Sequence, residues 1–572
     1  MSNKKTLTLH TRHIPIEHLD HTNPTTITIK ENGLCDSIFN IQKLQEKYIS
    51  VIETRLVPIE NNKLDIEWQR FVKVIKHIKK HNMGVGVFCW PQYIDKNSKI
   101  TPLRCLEHNR ESTIGSLWDP KLLTKYKKVY KTLSKYEQYL DFLYVGVYGD
   151  YGEVSFPSGV KHYLFSPKHG HLGLFCGDNY AKDSFFKYVK SKFKNIDLLN
   201  KKWQTNFANF RDVTPYIYLQ SNQIAPKKAF QEWYCGSITK FAKQVMTIAN
   251  NSFRNIHIGL PLGFADQPLE IGQIKSQIIK AASKHQILVR WTGLGFLSNY
   301  AKSNVLAKVV SSPAHFYHTA LGCEAALKLN LDSLLDVMYE AISNGAEMIH
   351  NDPKNIDIPH EKWKKIIANY KISKPINNIG VFYPTEAEML KLLDVGKKTL
   401  FPFESEQFKK SKTINEAFFD SFSNDDYSYS DVNNNPLDVY ITRVAALRQS
   451  FDYCVVDSQL ISDGALDKLE YLIIPISCYL KNKTQNSINK WIARGGKLIL
   501  RKGVKLHNLD TLKEYNPRVV WLQYKTAFSL PPYDGLRRIY GENTYITIHE
   551  DFISVLDKEN TTIKYYTTKI SA

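Results

Sequence analysis

The feature that most constrains this chain is a repeated alternation between residues 48 and 352. Short apolar runs bounded by glycine or proline alternate with amphipathic segments whose apolar positions recur at helical spacing. The runs lie at 49–56, 83–90, around 144, at 255–261, at 286–291, at 314–320 and at 346–352. Between the first two, Asp65 caps a helix carrying Trp68, Phe71, Val72, Ile75 and Ile78 on one face. Seven such strands, with one more from Thr6, Leu7, Thr8, Leu9 and His10, predict an eight-stranded parallel (β/α)8 barrel. A doubly wound open sheet is the alternative, but no GxGxxG turn follows any strand.

A barrel of this kind places its chemistry at the carboxyl ends of the strands. The run ending at Val147 passes through Tyr148, Gly149, Asp150, Tyr151 and Gly152 to Glu153, so strand four delivers a carboxyl group to the rim. Crowding by Tyr148, Tyr151 and Phe156 is the kind of surrounding that raises a carboxyl pKa towards that of a proton donor; the plain alternative is a solvated loop glutamate. Strand seven, read as 314–320 continuing through Leu321, Gly322 and Cys323, ends at Glu324. Glu324 is either a second functional carboxylate or the first residue of the next helix, favoured there by the helix dipole. Two carboxyl groups flanking one bond are what glycoside hydrolysis needs, with Glu153 as acid/base and Glu324 as nucleophile or base. Other rim positions are candidates for sugar contacts. Trp90 and Trp291 could stack on rings, and Arg55, Tyr148, Asp150, His318 and Asp352 could bond hydroxyls.

At 572 residues the chain calls for several domains, and 43% hydrophobic and 12% aromatic residues mark it as globular. The division expected is a barrel over 1–375, a second α/β unit over 376–515 and a small antiparallel β module over 516–572. Residues 37–47 and 385–393 read as helices, and 421–435 as a polar loop. The net charge of +20 is spread mostly over lysines, with no arginine-rich tract or zinc-finger spacing, so diffuse solvation is favoured over nucleic-acid binding. Eight cysteines without a CxxC pair read as reduced thiols, and no metal site or cofactor is expected. No apolar run is long enough to span a membrane and no secretory leader begins the sequence, so a cytoplasmic protein is expected, or a secreted one if a leader was removed. Cys478 lacks the glycine-flanked elbow of a nucleophile, which makes the second unit a structural one.

The run from Leu56 to Glu60, the segment Leu64 to Trp68, and the glycines of Gly84, Val85, Gly86 and Val87 resemble strands two and three of glycoside hydrolase family 42. The helix pair at 188–193 and 198–203 is similar to theirs. Asp452 and Tyr453, Asp463 to Leu466, Leu472 to Pro475 and Gly495 to Ile499 resemble the amidotransferase-like, trimer-forming domain of those β-galactosidases. The resemblance implies a barrel glycosidase acting on carbohydrate, a homo-oligomer that is trimer-like, and a sugar-contacting role for Arg110 in the loop after strand three. Family 42 carries Asn just before its acid/base glutamate, where this chain has Gly152. The segment from Gly149 to Ser158 is instead similar to the acid-bearing segment of family 14 β-amylases. Family 42 would imply retention of configuration and family 14 inversion, and the substrate need not be a β-galactoside.

Overall fold

A computed structural model describes residues 7–58 in part, then 64–149, 152–157, 174–263, 272–294, 300–325, 331–351, 360–384, 436–501, 506–507, 519–522 and 532–567, apart from single positions within them. Eight parallel strands close on themselves. They are β1 (Thr8–Thr11), β2 (Ile49–Leu56), β3 (Gly84–Cys89), β4 (Phe142–Val145), β5 (His257–Leu262), β6 (Leu288–Leu294), β7 (Leu321–Ala325) and β8 (Met348–Asn351). Each pairs with its neighbour in sequence, and β1 pairs with both β2 and β8, so no edge is left open. This is the expected (β/α)8 barrel.

Period-two alternation decides what enters its axis. Glu53 of β2, Phe88 of β3, Phe142 and Tyr144 of β4, Arg290 of β6 and His350 of β8 all point inward, as their mutual contacts show. Gly86 of β3 makes room for this charged filling: a Cβ there would stand 2.5 Å from Glu53 Cγ. The outward face packs on helices. Helix Pro120–Leu133 is capped by Asp119, whose side chain accepts from the Lys121 amide, and buries Leu122, Tyr126, Val129 and Tyr130. The 29-residue helix Ile224–Ser252 buries Tyr234, Phe241 and Val245.

Three expectations are corrected here. Residues 314–316 are not a strand but the end of helix Tyr300–Phe316, and β7 starts only at Leu321. The aromatic residues there favour a strand intrinsically, yet burial of Ser311, Ser312 and Ala314 keeps the segment helical, and Ser312 accepts a bond from the Val455 amide. Cys35–Asn40 is a strand paired antiparallel with Thr26–Glu31, where a helix over 37–47 was expected. Finally, Val519–Leu522 lies parallel to Lys497–Arg501, so the parallel sheet runs past residue 515. The helix expected at 385–393 and the loop at 421–435 lie outside the described residues.

That second sheet holds β9 (Ile379–Phe382), β10 (Cys454–Val456), β11 (Tyr471–Ile474), β12 (Lys497–Arg501) and β13 (Val519–Leu522). All pairings are parallel in the spatial order β10-β9-β11-β12-β13, the flavodoxin-like winding. An antiparallel sheet of β14 (Thr544–Ile548), β15 (Phe552–Asp557) and β16 (Thr562–Thr567) follows. Buried Asp452 joins the layers. It meets Lys308 of the barrel at 3.1 Å and Arg448 at 3.7 Å, while Arg448 donates to the Ile546 carbonyl, the Thr547 hydroxyl and Tyr300. Among the described residues no helix is long and apolar enough to cross a membrane. The seven described cysteines form no disulfide with one another, and all but Cys454 are buried.

His549, at the end of β14, is wholly buried. Its Nδ1 donates to the Ser373 carbonyl, which leaves Nε2 to accept from the Ser554 hydroxyl. Burial pushes its pKa down to about 4, whereas an unfolded histidine titrates near about 6.5. Acid therefore protonates the unfolded chain first, and stability present above about pH 6.5 is lost as pH falls towards about 4, at roughly 1.4 kcal/mol per pH unit. Denaturant titrations from pH 7 to 4 should show a shallower acid loss in His549→Gln than in the parent; identical slopes would refute this assignment.

Candidate active site

β4 ends at Val145 and the chain folds back on itself. The Gly152 amide donates to the Gly149 carbonyl, Val147 donates to the Gly152 carbonyl, and both Tyr148 and Gly149 donate to the Glu153 carbonyl. Gly152 sits at φ +71°, and a Cβ there would lie 2.5 Å from the Trp90 indole. The turn therefore needs a residue that tolerates left-handed backbone and has no side chain, because Trp90 fills the floor beneath it. Asparagine tolerates the first requirement but not the second. The turn presents Glu153 at the mouth of the barrel, mostly buried, with the Val154 amide tied to the Pro261 carbonyl of β5.

Glu324 arrives from β7, where it pairs across the ladder with His350 of β8 and Thr292 of β6. It is 3% exposed. Between the two carboxylates stands the guanidinium of Arg290. Its Nη2 lies 3.1 Å from Glu324 Oε2 and 3.9 Å from Glu153 Oε1, so those two oxygens are within about 7 Å of each other, inside the range over which a carboxylate pair serves one glycosidic bond. The Thr292 hydroxyl donates to Glu153 Oε1 at 3.0 Å and accepts from Arg290 Nη2 at 3.2 Å.

The arginine is itself held from behind. Its Nη1 is 2.8 Å from His350 Nδ1. A guanidinium only donates, so Nδ1 accepts and the ring proton sits on Nε2, which bonds Glu53 Oε1. Glu53 is fully buried. Burial pushes its carboxyl well above the usual carboxylate range, the Arg290 charge draws it back, and nearby Glu324 adds to the rise. The rings of Tyr144 and Phe88 flank the guanidinium, with centroids 5.5 and 5.9 Å from Cζ. The array thus links Glu53 through His350 and Arg290 to Glu324 inside the barrel.

Of the residues singled out in the sequence, Glu153 and Glu324 come together on Arg290. Arg55 also reaches the barrel mouth, its guanidinium 4.8 Å above the indole of Trp90, but Trp90 itself is buried under Arg55 and Gly152 and so does not offer the sugar-stacking face expected of it. Three others do not take the expected places. Tyr148 is fully buried, its hydroxyl donating to the Gly115 carbonyl and accepting from the Leu117 amide, so it ties two loops together. Trp291 lies between inward-pointing Arg290 and Thr292 on one strand, so alternation turns it outward, where it is buried. His318, at φ +57° and exposed, occupies the turn before β7, at the amino end of the barrel strands. Arg110 is exposed in the turn of the hairpin Pro102–Arg104 and Glu111–Gly115. Asp150 and Asp352 lie outside the described residues.

Sequence reasoning missed Arg290, His350, Glu53 and Thr292. The signal was present: a lone charge inside an apolar strand, as at Arg290 between Val289 and Trp291 or Glu53 between Ile52 and Thr54, demands a counter-charge from another strand. Among the described residues no group of three His, Cys, Asp or Glu is arranged to hold a metal ion.

No family model matches the sequence, and no curated protein matches it. Solved structures match in shape. A β-galactosidase from Bacillus circulans sp. alkalophilus aligns with a TM-score of 0.59 at 11% identity, covering 87% of this chain and 71% of that one. A β-galactosidase from the psychrophilic Marinomonas ef1 aligns at 0.56 and 10% identity, over 86% and 75%. The apo exo-carrageenase GH42 from Bacteroides ovatus aligns at 0.52 and 11% identity, over 98% and 82%. At such identities the likeness is one of fold: the chain has the scaffold on which those glycosidases are built.

Arg290 balances a site that would otherwise bury Glu53, Glu153 and Glu324 together. Arg290→Met should therefore cost about 3–5 kcal/mol in denaturant unfolding, and Arg290→Lys less, because lysine keeps the charge but loses the fork. A Met variant as stable as the parent would show that the arginine is not the counter-charge of this cluster.

Proposed function

We propose that this chain is a glycoside hydrolase in which Glu153 and Glu324 work on one glycosidic bond. The observation that carries the reading is their convergence on a single nitrogen of Arg290 at the carboxyl end of the barrel. Glu153 protonates the leaving oxygen. Glu324, held against the guanidinium, attacks the anomeric carbon; water then enters with Glu153 acting as base. Arg290 positions Glu324 and offsets the repulsion between two buried carboxylates, and His350 and Glu53 fix the plane of its fork. Arg55 offers a cation at the entrance, with the buried Trp90 indole packed beneath it.

Retaining enzymes hold their carboxyl groups about 5–5.5 Å apart and inverting ones about 6.5–9.5 Å. An upper limit of about 7 Å on one oxygen pair is compatible with the first range and with the lower part of the second; we propose the retaining course, which the product anomer decides. The likeness in fold to β-galactosidases and to an exo-carrageenase supports a carbohydrate substrate, without choosing the sugar. The second, flavodoxin-like sheet is proposed as an assembly domain of an amidotransferase-like kind, which would make the protein a homo-oligomer, trimer-like in form.

Glu153→Gln and Glu324→Gln should each lower turnover by about 10²–10⁴-fold on a panel of nitrophenyl glycosides, with melting temperatures close to the parent's. Undiminished turnover in both variants would sink the assignment. Proton NMR of the first-formed anomer tests the stereochemistry: the substrate's own configuration supports retention, and the opposite anomer removes it. Glycan binding by a parent protein that turns over none of the panel would instead identify a carbohydrate-binding protein on this scaffold.

A further inference from the structure

A second polar cleft lies beside the mouth of the barrel. The hairpin after β3 and the helix Asn179–Lys192 after β4 enclose a cavity of about 260 Å³. Arg104 and Glu111 of the hairpin face Asp178, Asn179 and Lys182 across it. Both elements follow the carboxyl ends of their strands, so the cleft opens on the same side of the barrel as Glu153. It is joined to the turn that carries Glu153. Tyr148, whose amide donates to the Glu153 carbonyl, bonds Gly115 and Leu117 through its hydroxyl, and Ser116 between them donates to Asp178 at 3.0 Å.

Asp178 carries the argument. It is 3% exposed, and its Oδ1 is fully used, accepting from the Ala181 amide as a helix cap and from the Ser116 hydroxyl. Its Oδ2 is buried without a hydrogen-bond partner among the described residues. A buried carboxylate oxygen left this way is costly, and a bound donor removes the cost. Burial pushes the Asp178 carboxyl above its ordinary range, and the hydrogen bonds it accepts from the Ala181 amide and the Ser116 hydroxyl draw it back. Around it, the formal charges of the described residues balance: Arg104 and Lys182 against Glu111 and Asp178. Arg104 already donates to the Asn109 carbonyl and to Glu111. Lys182, whose Nζ lies 5.8 Å from the Tyr216 ring centroid, and the exposed Asn179 add donors to the lining. Among the described residues no aromatic ring lines the cavity, so those residues offer recognition by hydrogen bonds and not by stacking.

Balanced charge, mixed donors and acceptors, and a volume below the roughly 300–1,000 Å³ of drug-sized pockets describe a place for a single small polyhydroxy ring. We propose that the cleft is a subsite for a further sugar residue of an uncharged oligosaccharide, one hydroxyl donating to Asp178 Oδ2 and neighbouring oxygens accepting from Lys182 and Asn179. The proposal rests on the glycosidase reading for the identity of its ligand, not for the existence of the cleft. It makes the protein prefer chains over single glycosides.

The test compares the parent with Asn179→Ala/Lys182→Ala, which spares the Asp178 cap and so the helix. Binding of neutral β-1,4-galacto- and α-1,4-gluco-oligosaccharides of two to six residues is measured by saturation-transfer NMR and titration calorimetry, alongside kcat/KM at each length. The parent should bind six residues about tenfold more tightly than two in the preferred series. The double variant, melting near the parent's temperature, should lose that gain. An unchanged length dependence in the variant, or none in the parent, overturns the subsite. Length-dependent binding lost in the variant without any turnover leaves the subsite standing and removes the hydrolase reading. Turnover whose length dependence ignores both substitutions does the reverse.

Discussion

The contact on which the site depends is the one between Arg290 and the acidic groups around it. A guanidinium buried to 1% exposure in the axis of a barrel is tolerable only when its charge is met and most of its donors are used; both Nη atoms are engaged, while Nε has no hydrogen-bond partner among the described residues. Here one edge of the fork faces His350, locked by Glu53, and the other faces Glu324, Thr292 and Glu153. Three acidic groups from β2, from the turn after β4 and from β7 are thereby held at one place by residues of β6 and β8. The same contact explains why the barrel interior is not aliphatic. Gly86 clears space for Glu53, and Tyr144 and Phe88 wall the cation from the side.

A second set of constraints fixes the turn that delivers Glu153. Trp90 occupies the floor, Gly152 can pass over it only without a side chain, and Tyr148 anchors the loop to the hairpin after β3. The departure at position 152 from the asparagine of family 42 thus has a steric cause in this chain: the indole stands where that side chain would go. Further out, Asp452 collects Lys308 from the barrel and Arg448 from the flavodoxin-like layer, and Arg448 reaches on to β14. The three sheets share one buried polar junction, which argues for their folding and melting together, not as independent beads.

How far the sequence carried this depends on the kind of signal each part left. The barrel was legible because its strands are short apolar runs at regular intervals, and burial on both faces enforces that pattern. Glu153 was legible because glycines and a strand end frame it. Glu324 was found although the strand before it was misplaced, since β7 is correct from Leu321 onward and only 314–320 was misread. Tyr148, Trp291 and His318 were assigned to the rim by their position in the chain, and position does not say which way a side chain turns. One residue's shift along β6 separates inward Arg290 from outward Trp291.

The sequence by itself determined the order of elements, the closed parallel sheet and one carboxyl group at the end of β4, because local propensity and hydrophobic period are written residue by residue. Only the tertiary structure decided that the expected pair Glu153 and Glu324 meets on Arg290, backed by His350 and Glu53. Those contacts join residues far apart in the chain, and their geometry is set by the barrel's closure and register. The chain names its charged residues, but only closure of the barrel brings them within reach of one another.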